Sequence, residues 1–135
     1  MAEKYYLDTS VWIDFHEKRG KNGEAALKLL TKIIEQDNIL VYSDMTVKEF
    51  KQIGYSQNEI NSILKIAKPD HIKRIHINKE QREEAKKLAS QRNIPKADAL
   101  HAISARDNEL QLIARDPHFK KLKDITNSKI PEDFI

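Results

Sequence analysis

Apolar positions follow two patterns that alternate along the chain. Four short apolar runs, typical of buried strands, occupy residues 5–7, 39–42, 72–77 and 110–114. The segments between them have the three-to-four spacing of helices. The clearest of these, residues 23–35, carries five apolar residues on one helical face: Ala26, Leu29, Leu30, Ile33 and Ile34. Because parallel strands need crossover connections, the alternation predicts an α/β fold with three layers, α/β/α, around a parallel sheet.

Polar residues and glycine mark several of the predicted helix ends. One helical segment stops at Gly54, a residue that tolerates the left-handed conformation of many helix C-termini. Two pairs have the spacing of a capping box: Ser56 with Glu59, and Asn78 with Gln81. The segment 96–107 contains four alanines, which allow a close approach to a neighbouring backbone. We therefore expect that helix to be central in the fold.

Composition agrees with one ordered domain over residues 1–135. Hydrophobic residues make up 39% and charged residues 33%, enough apolar material for one core. No apolar run approaches the roughly 18 residues of a membrane span, and no signal-type apolar segment opens the chain, so we expect a cytoplasmic protein without a membrane partner. The chain has no cysteine, which excludes disulfides, thiolate metal ligands and a cysteine nucleophile.

Acidic residues follow the ends of the predicted strands. Asp8 comes directly after the first run, Glu49 lies in the helix after the second, and Asp116 follows the last. A fourth acid, Asp98, lies in the first turn of the alanine-rich helix, among apolar residues. The carboxyl ends of parallel strands meet at one edge of a sheet, where ligands of such folds bind. We therefore expect these acids to converge.

Two explanations fit these acids. As helix-start residues, Asp8 and Asp116 suit the N-cap position, whereas Glu49 falls about a turn into its helix. Taken together, four converging carboxylates repel one another, by roughly 3 kcal/mol per pair at about 5 Å and an effective dielectric of about 20. Cations relieve that repulsion, and oxygen ligands suit Mg²⁺ or Mn²⁺. Such ions activate water and neutralise a phosphoryl group, so the expected reaction is phosphodiester hydrolysis.

Five segments together resemble the PIN-domain family, particularly the short VapC-like toxins. They are residues 7–13, 47–50, 96–102, 113–119 and 130–135. The resemblance covers nearly the whole chain. It implies a sheet of four or five parallel strands between helices and an endoribonuclease dependent on Mg²⁺ or Mn²⁺ that cleaves single-stranded RNA. It also implies a homodimer and a small antitoxin as protein partner.

The resemblance also implies roles for individual residues. It assigns metal binding and catalysis to four acids and a supporting hydroxyl of the catalytic site to one serine: Asp8, Glu49, Asp98, Asp116 and Ser10. The chain departs from the family at Ala114, where a threonine or serine often precedes the last acid by two residues. That departure removes a hydrogen bond near a metal ligand, which weakens control of metal orientation.

Further polar residues have two interpretations. His101 follows Asp98 by three residues, on the same helix face, and either completes a metal site or packs as a hydrogen-bonded core histidine. Arg115, next to Asp116, is a candidate phosphate contact. Three further acids near helix ends, Asp14, Asp44 and Asp107, are interpreted as caps or solvated groups, with Asp14 the first candidate for an exception. Trp12 is expected in the core or an interface rather than as a base-stacking platform.

The motifs exclude some functional classes and leave others open. The three glycines form neither GxxxxGK[ST] nor GxGxxG, which excludes a phosphate-binding loop. An aspartyl-phosphate phosphatase requires a second Asp at the position of Ser10. A toxin nuclease, a housekeeping RNA-processing nuclease and a weakened binding scaffold remain open. The net charge is only +3, but without the four candidate acids the chain has 24 basic against 17 acidic residues, or +7, which suits binding to a polyanion.

Overall fold

A computed structural model describes residues 2–135 of the chain. Its strands and α-helices, in chain order, are β1 (Lys4–Leu7), α1 (Thr9–His16), α2 (Gly20–Glu35), β2 (Ile39–Ser43), α3 (Asp44–Ile53), α4 (Gln57–Leu64), β3 (Ile72–Ile75), α5 (Lys79–Arg92), α6 (Lys96–Asp107) and β4 (Gln111–Ile113). Three 3₁₀ helices occupy Lys65–Ala67, Pro117–Leu122 and Pro131–Phe134. No helix in residues 2–135 is long and apolar enough to cross a membrane.

The four strands form one parallel sheet in the order β3-β2-β1-β4. Strand β1 is central, and its Tyr5 pairs with Leu40 of β2 and Gln111 of β4. A single parallel bridge between Ile113 and Lys129 continues the sheet beyond β4 without forming a further strand. The predicted parallel sheet is therefore confirmed with four strands, all of whose carboxyl ends point to the same edge.

Each face of the sheet carries its own apolar cluster. Because side chains alternate along a strand, β1 sends Tyr5 and Leu7 to one face and Tyr6 to the other. The first face packs against α1 to α4, with Trp12 fully buried, and the second packs against α5 and α6. The three-layer arrangement and the core position of Trp12 are confirmed. Three of the four alanines of α6, Ala99, Ala102 and Ala105, lie in the second cluster, as expected for a central helix.

The helix ends follow the predicted polar signals. Both capping boxes form: the two side chains of each pair accept from each other's backbone N–H, as in Ser56 and Glu59 at 3.1 and 3.2 Å. Gly54 adopts a φ of +114° at the end of α3. Helix α2 begins three residues earlier than predicted, at Gly20. Within it, a Cβ at Gly23 would lie 2.7 Å from the Asp14 carbonyl oxygen, so this glycine allows α1 and α2 to pack closely.

Strand β3 is shorter than the predicted run 72–77. It ends at Ile75 because the backbone N–H of Ile77 donates to Asp44 Oδ2, at 3.1 Å, instead of continuing the ladder. The other oxygen of Asp44 accepts from Arg74 and from His76. Asp44 therefore is not a solvated acid. It fixes the point where the chain leaves the edge strand.

Candidate active site

The four predicted acids lie at the carboxyl edge of the sheet. Asp8 follows β1 directly, Glu49 lies in the middle of α3, Asp98 lies in the first turn of α6, and Asp116 starts the 3₁₀ helix Pro117–Leu122. These acids are close enough to affect one another's pKa. The charge of Glu49 raises the pKa of Asp8, and the charges of Asp8 and Asp116 raise the pKa of Asp98. The structure therefore brings the acids together, and Asp8 and Asp98 are the buried members of the row.

Potential ligand atoms in this row form two groups of three, each with its atoms within 4.8 Å of one another. We call Asp8, Glu49 and His101 the closed group, and Asp98, Asp116 and His118 the open group. Each group contains two carboxylates and one histidine. Their hydrogen bonding differs.

The acids of the closed group have protein donors. His101 Nε2 lies 2.5 Å from Glu49 Oε1 and 3.6 Å from Asp8 Oδ1. Thr9 Oγ1 also donates to Glu49 Oε1, at 2.8 Å. Ser10 Oγ donates to Asp8 Oδ2, at 2.7 Å, and its supporting role in the site stays a prediction. Because an ionised carboxylate only accepts, the Nε2 of His101 carries a proton toward Glu49.

A buried hydrogen-bond chain extends from the closed group into the core. His101 Nδ1 lies 2.6 Å from the Tyr6 hydroxyl, which lies 2.5 Å from Ser43 Oγ. Ser43 is the N-cap of α3, the helix that carries Glu49. Tyr6 and Asp8 are two residues apart, so β1 directs both to the face covered by α6. This hydrogen-bond chain therefore links His101 to the start of the helix that carries Glu49.

The charges of the closed group follow from these contacts. Burial disfavours a charged imidazole, but Tyr6, Glu49 and Asp8 outweigh it and raise the pKa of His101 well above its usual value. Burial also opposes ionisation of Glu49, yet the hydrogen bond from His101 lowers the pKa of that carboxyl. Both nitrogens of His101 therefore have partners. Of its two interpretations, the packed, hydrogen-bonded histidine agrees with the structure.

The open group has unpartnered atoms. His118 Nδ1 lies 2.9 Å from Asp116 Oδ1 and 3.2 Å from Asp98 Oδ2. Neither contact is aligned as a hydrogen bond, and both Asp98 Oδ2 and His118 Nδ1 are buried atoms without a partner. Asp116 Oδ1 does accept from the backbone N–H of His118, at 2.8 Å. Asp116 is therefore a helix cap, as the simpler explanation expects, and also a member of the site.

Ionisation of the buried carboxylate Asp98 in the open group is unfavourable. Burial, followed by the charges of Asp8 and Asp116, raises the pKa of Asp98 from 3.8 to about 6. Burial likewise raises the pKa of Asp8. A divalent cation among these oxygens would reverse that cost and supply a partner to Asp98 Oδ2. The four carboxylates could therefore hold a divalent cation, and each group adds a histidine nitrogen to the oxygen donors predicted from the sequence.

Arg115 and its neighbours are arranged differently from the acids. The Arg115 guanidinium donates to Glu132 Oε2 at 2.8 Å and lies 3.9 Å from Asp14 Oδ2, so it faces the C-terminal segment and α1. A phosphate contact by Arg115 stays a prediction. Asp14 is the exception among the three acids interpreted as caps or solvated groups, because it is buried in α1 and burial raises its pKa. Ala114 is buried and brings no hydroxyl to the site.

Sequence reasoning missed several residues that shape the site. His118 follows Asp116 by two residues, and its place was readable from the Asp-Pro turn that starts the 3₁₀ helix. Tyr6 and Asp8 are two residues apart, a spacing that predicts the same face of the sheet but does not identify the hydrogen-bond partner of Tyr6. Thr9, next to Asp8, reaches Glu49 across 40 positions of sequence, and no local pattern predicts that contact.

The fold and the site together define an α/β/α domain with a row of acids at the carboxyl edge of its parallel sheet. The family model of the PIN domain matches residues 5–125, and the chain belongs to the PIN domain family. The resemblance found in the sequence is thereby confirmed. No curated protein matches the chain significantly.

Solved structures with a similar fold include three bacterial assemblies. VapBC2 from Rickettsia felis bound to a DNA fragment from their promoter has a TM-score of 0.64 and 18% identity, over 87% of this chain and 92% of that one. A toxin-antitoxin complex from Klebsiella pneumoniae has a TM-score of 0.60 and 20% identity, over 94% of this chain and 97% of that one. FitAcB from Neisseria gonorrhoeae has a TM-score of 0.59 and 21% identity, over 95% of this chain and 98% of that one. At these identities the likeness establishes the fold.

Proposed function

We propose that this protein is a metal-dependent endoribonuclease that hydrolyses phosphodiester bonds of single-stranded RNA and serves as the toxin of a VapBC-type toxin-antitoxin pair. The observation that carries the nuclease assignment is the buried, unpartnered Asp98 Oδ2 in a row of four carboxylates. Membership of the PIN domain family supports the same activity.

The chain's own groups have distinct roles in this proposal. Asp8, Glu49, Asp98 and Asp116 hold Mg²⁺ or Mn²⁺, and the Ser10 hydroxyl fixes the orientation of Asp8. When bound, the cation supplies positive charge that activates water and stabilises the phosphoryl group in the transition state. Asp8, Glu49 and Asp116 keep their positions through protein hydrogen bonds, which limits the reorganisation that accompanies the reaction. Arg115, beside Asp116, contacts a phosphate of the RNA in this scheme.

The toxin assignment has separate support. The similar structures include one named as VapBC2 and one as a toxin-antitoxin complex, and the matches cover 92% and 97% of those two chains. This chain therefore spans nearly the full length of the chains that it matches. We propose a small antitoxin as its protein partner, a homodimer as its assembly and the cytoplasm as its location.

Cleavage of a labelled single-stranded RNA pool tests the nuclease. We expect cleavage with Mg²⁺ or Mn²⁺, none with EDTA, and at least about a 100-fold loss in Asp8→Asn and Asp98→Asn. Asp70→Asn is the matched control, because this exposed aspartate precedes β3 and lies at the opposite edge of the sheet. Cleavage that survives chelation or either site variant would contradict the metal assignment.

The same experiment separates the two other functions that the sequence leaves open. A protein that binds RNA without cleaving any member of a broad pool is a binding scaffold. A nuclease whose induction leaves growth unchanged and yields matured RNA ends is an RNA-processing enzyme. Sequencing of RNA ends after induction, with and without a neighbouring gene for a small DNA-binding protein, distinguishes these outcomes from toxin activity.

A further inference from the structure

The two histidines at the site differ in what their ring nitrogens contact. Both nitrogens of His101 have partners, Tyr6 at 2.6 Å and Glu49 at 2.5 Å. His118 Nδ1 is buried beside two carboxylate oxygens and is bonded to neither. Polar atoms buried without a partner are costly, and most that occur in proteins have a water, ion or functional ligand. His118 therefore calls for a ligand that His101 does not.

The spacing of the open group matches metal coordination. In an octahedral site with bonds of about 2.1 Å, neighbouring ligand atoms lie about 3.0 Å apart. His118 Nδ1 lies 2.9 Å from Asp116 Oδ1 and 3.2 Å from Asp98 Oδ2, on either side of that value. In the closed group the distance from His101 to Glu49 is 2.5 Å and that to Asp8 is 3.6 Å, a pattern of one hydrogen bond and one longer contact.

The chemistry of a nitrogen ligand selects among cations. Mg²⁺ prefers oxygen ligands, whereas imidazole favours transition metals, whose affinities rise from Mn²⁺ onward in the first row. We infer that His118 Nδ1, Asp98 and Asp116 form a mixed nitrogen and oxygen site that binds Mn²⁺ in preference to Mg²⁺. This inference rests on the proposed metal-dependent function and adds a ligand and a choice of metal to it.

Electron spin echo spectroscopy of bound Mn²⁺ tests the ligand directly. We expect ¹⁴N coupling from a coordinated imidazole in the wild-type protein and its loss in His118→Gln. His76→Gln is the matched control, since His76 also lies beside a carboxylate, 3.0 Å from Asp44, but that carboxylate is saturated by Arg74 and the Ile77 N–H. The coupling should persist in this control.

Calorimetric titration in the absence of RNA measures the selectivity. We expect His118→Gln to weaken Mn²⁺ binding by about 10-fold and Mg²⁺ binding by less than about 3-fold. Bound Mn²⁺ without ¹⁴N coupling, coupling that survives in His118→Gln, or equal losses for the two metals would overturn the inference and leave the nuclease proposal standing. A wild-type protein that binds neither metal would overturn both. RNA cleavage is measured separately, so its failure bears on the proposed function alone.

Discussion

The closed and open groups contain the same types of ligand but satisfy them in opposite ways. In the closed group, Thr9, Ser10 and His101 donate to the carboxylates. In the open group, Asp98 Oδ2 and His118 Nδ1 lack any aligned partner. The contrast indicates that the two groups have different roles. Protein hydrogen bonds hold the closed group in place, whereas the open group has the unpartnered atoms that a cation would coordinate.

Replacing the histidine of each group by leucine gives the largest expected difference in the free energy of unfolding. His101→Leu removes two buried hydrogen bonds, to Tyr6 and Glu49, and leaves their oxygens short of partners. We expect it to lower the free energy of unfolding by about 2–4 kcal/mol. His118→Leu, at a half-exposed position without such bonds, should change it by less than about 0.5 kcal/mol. Urea denaturation in EDTA measures both, and equal losses would show that the two groups do not differ as described.

Neutralising the open group should stabilise the metal-free protein. Because the folded-state pKa of Asp98 is about 6 against 3.8 for the free side chain, its ionisation destabilises the fold increasingly between these two pH values and fully above about pH 6. We expect Asp98→Asn to raise the unfolding free energy by about 1–2 kcal/mol near pH 8, less than the roughly 3 kcal/mol that two pKa units represent, because the carboxylate retains some hydration.

The pH dependence gives the sign of this effect an independent check. Folded Asp98 takes up a proton as the pH falls through about 6, before the unfolded chain does near 3.8, so the wild type recovers stability in that range. The advantage of Asp98→Asn should therefore shrink from about pH 8 to about pH 5 in thermal melts with EDTA. An advantage that stays constant with pH would contradict the assigned cause. Saturating Mn²⁺ should reverse the order, because it stabilises only the wild type.

The sequence predicts more of the site's acids than of what surrounds them. Asp8 and Asp116 were readable because they follow strands of a parallel sheet, whose ends meet wherever the fold is correct. The chain from Ser43 through Tyr6 to His101 links residues 37 and 95 positions apart, and it depends on strand order and helix phase together. The burial of Asp14 has the same origin, since only tertiary packing shows that this residue lies against α2.

Within the closed group, the Ser10 hydroxyl should have a moderate effect. Ser10 is exposed, so Ser10→Ala leaves the core intact and removes only the 2.7 Å donor to Asp8 Oδ2. We expect metal affinity and RNA cleavage to fall together by about 10-fold, the usual scale for losing a hydrogen bond that orients a ligand. Ser90→Ala, in α5 away from the site, serves as the control. A change in cleavage without a change in metal affinity would place the hydroxyl in contact with RNA instead.

The smallest expected effect concerns Ala114, which precedes the open group's Asp116 by two residues. Ala114 is buried, and its backbone N–H already donates to Lys129 at 2.9 Å, so a serine here adds one hydroxyl without changing the backbone bond. If the open group depends on a cation because its own donors are few, Ala114→Ser should raise metal affinity by about 2–3-fold. Ala114→Val adds volume without a donor and controls for packing. A gain in both variants would indicate a packing effect, whereas a gain in the serine variant alone would show that a donor had been missing from the open group.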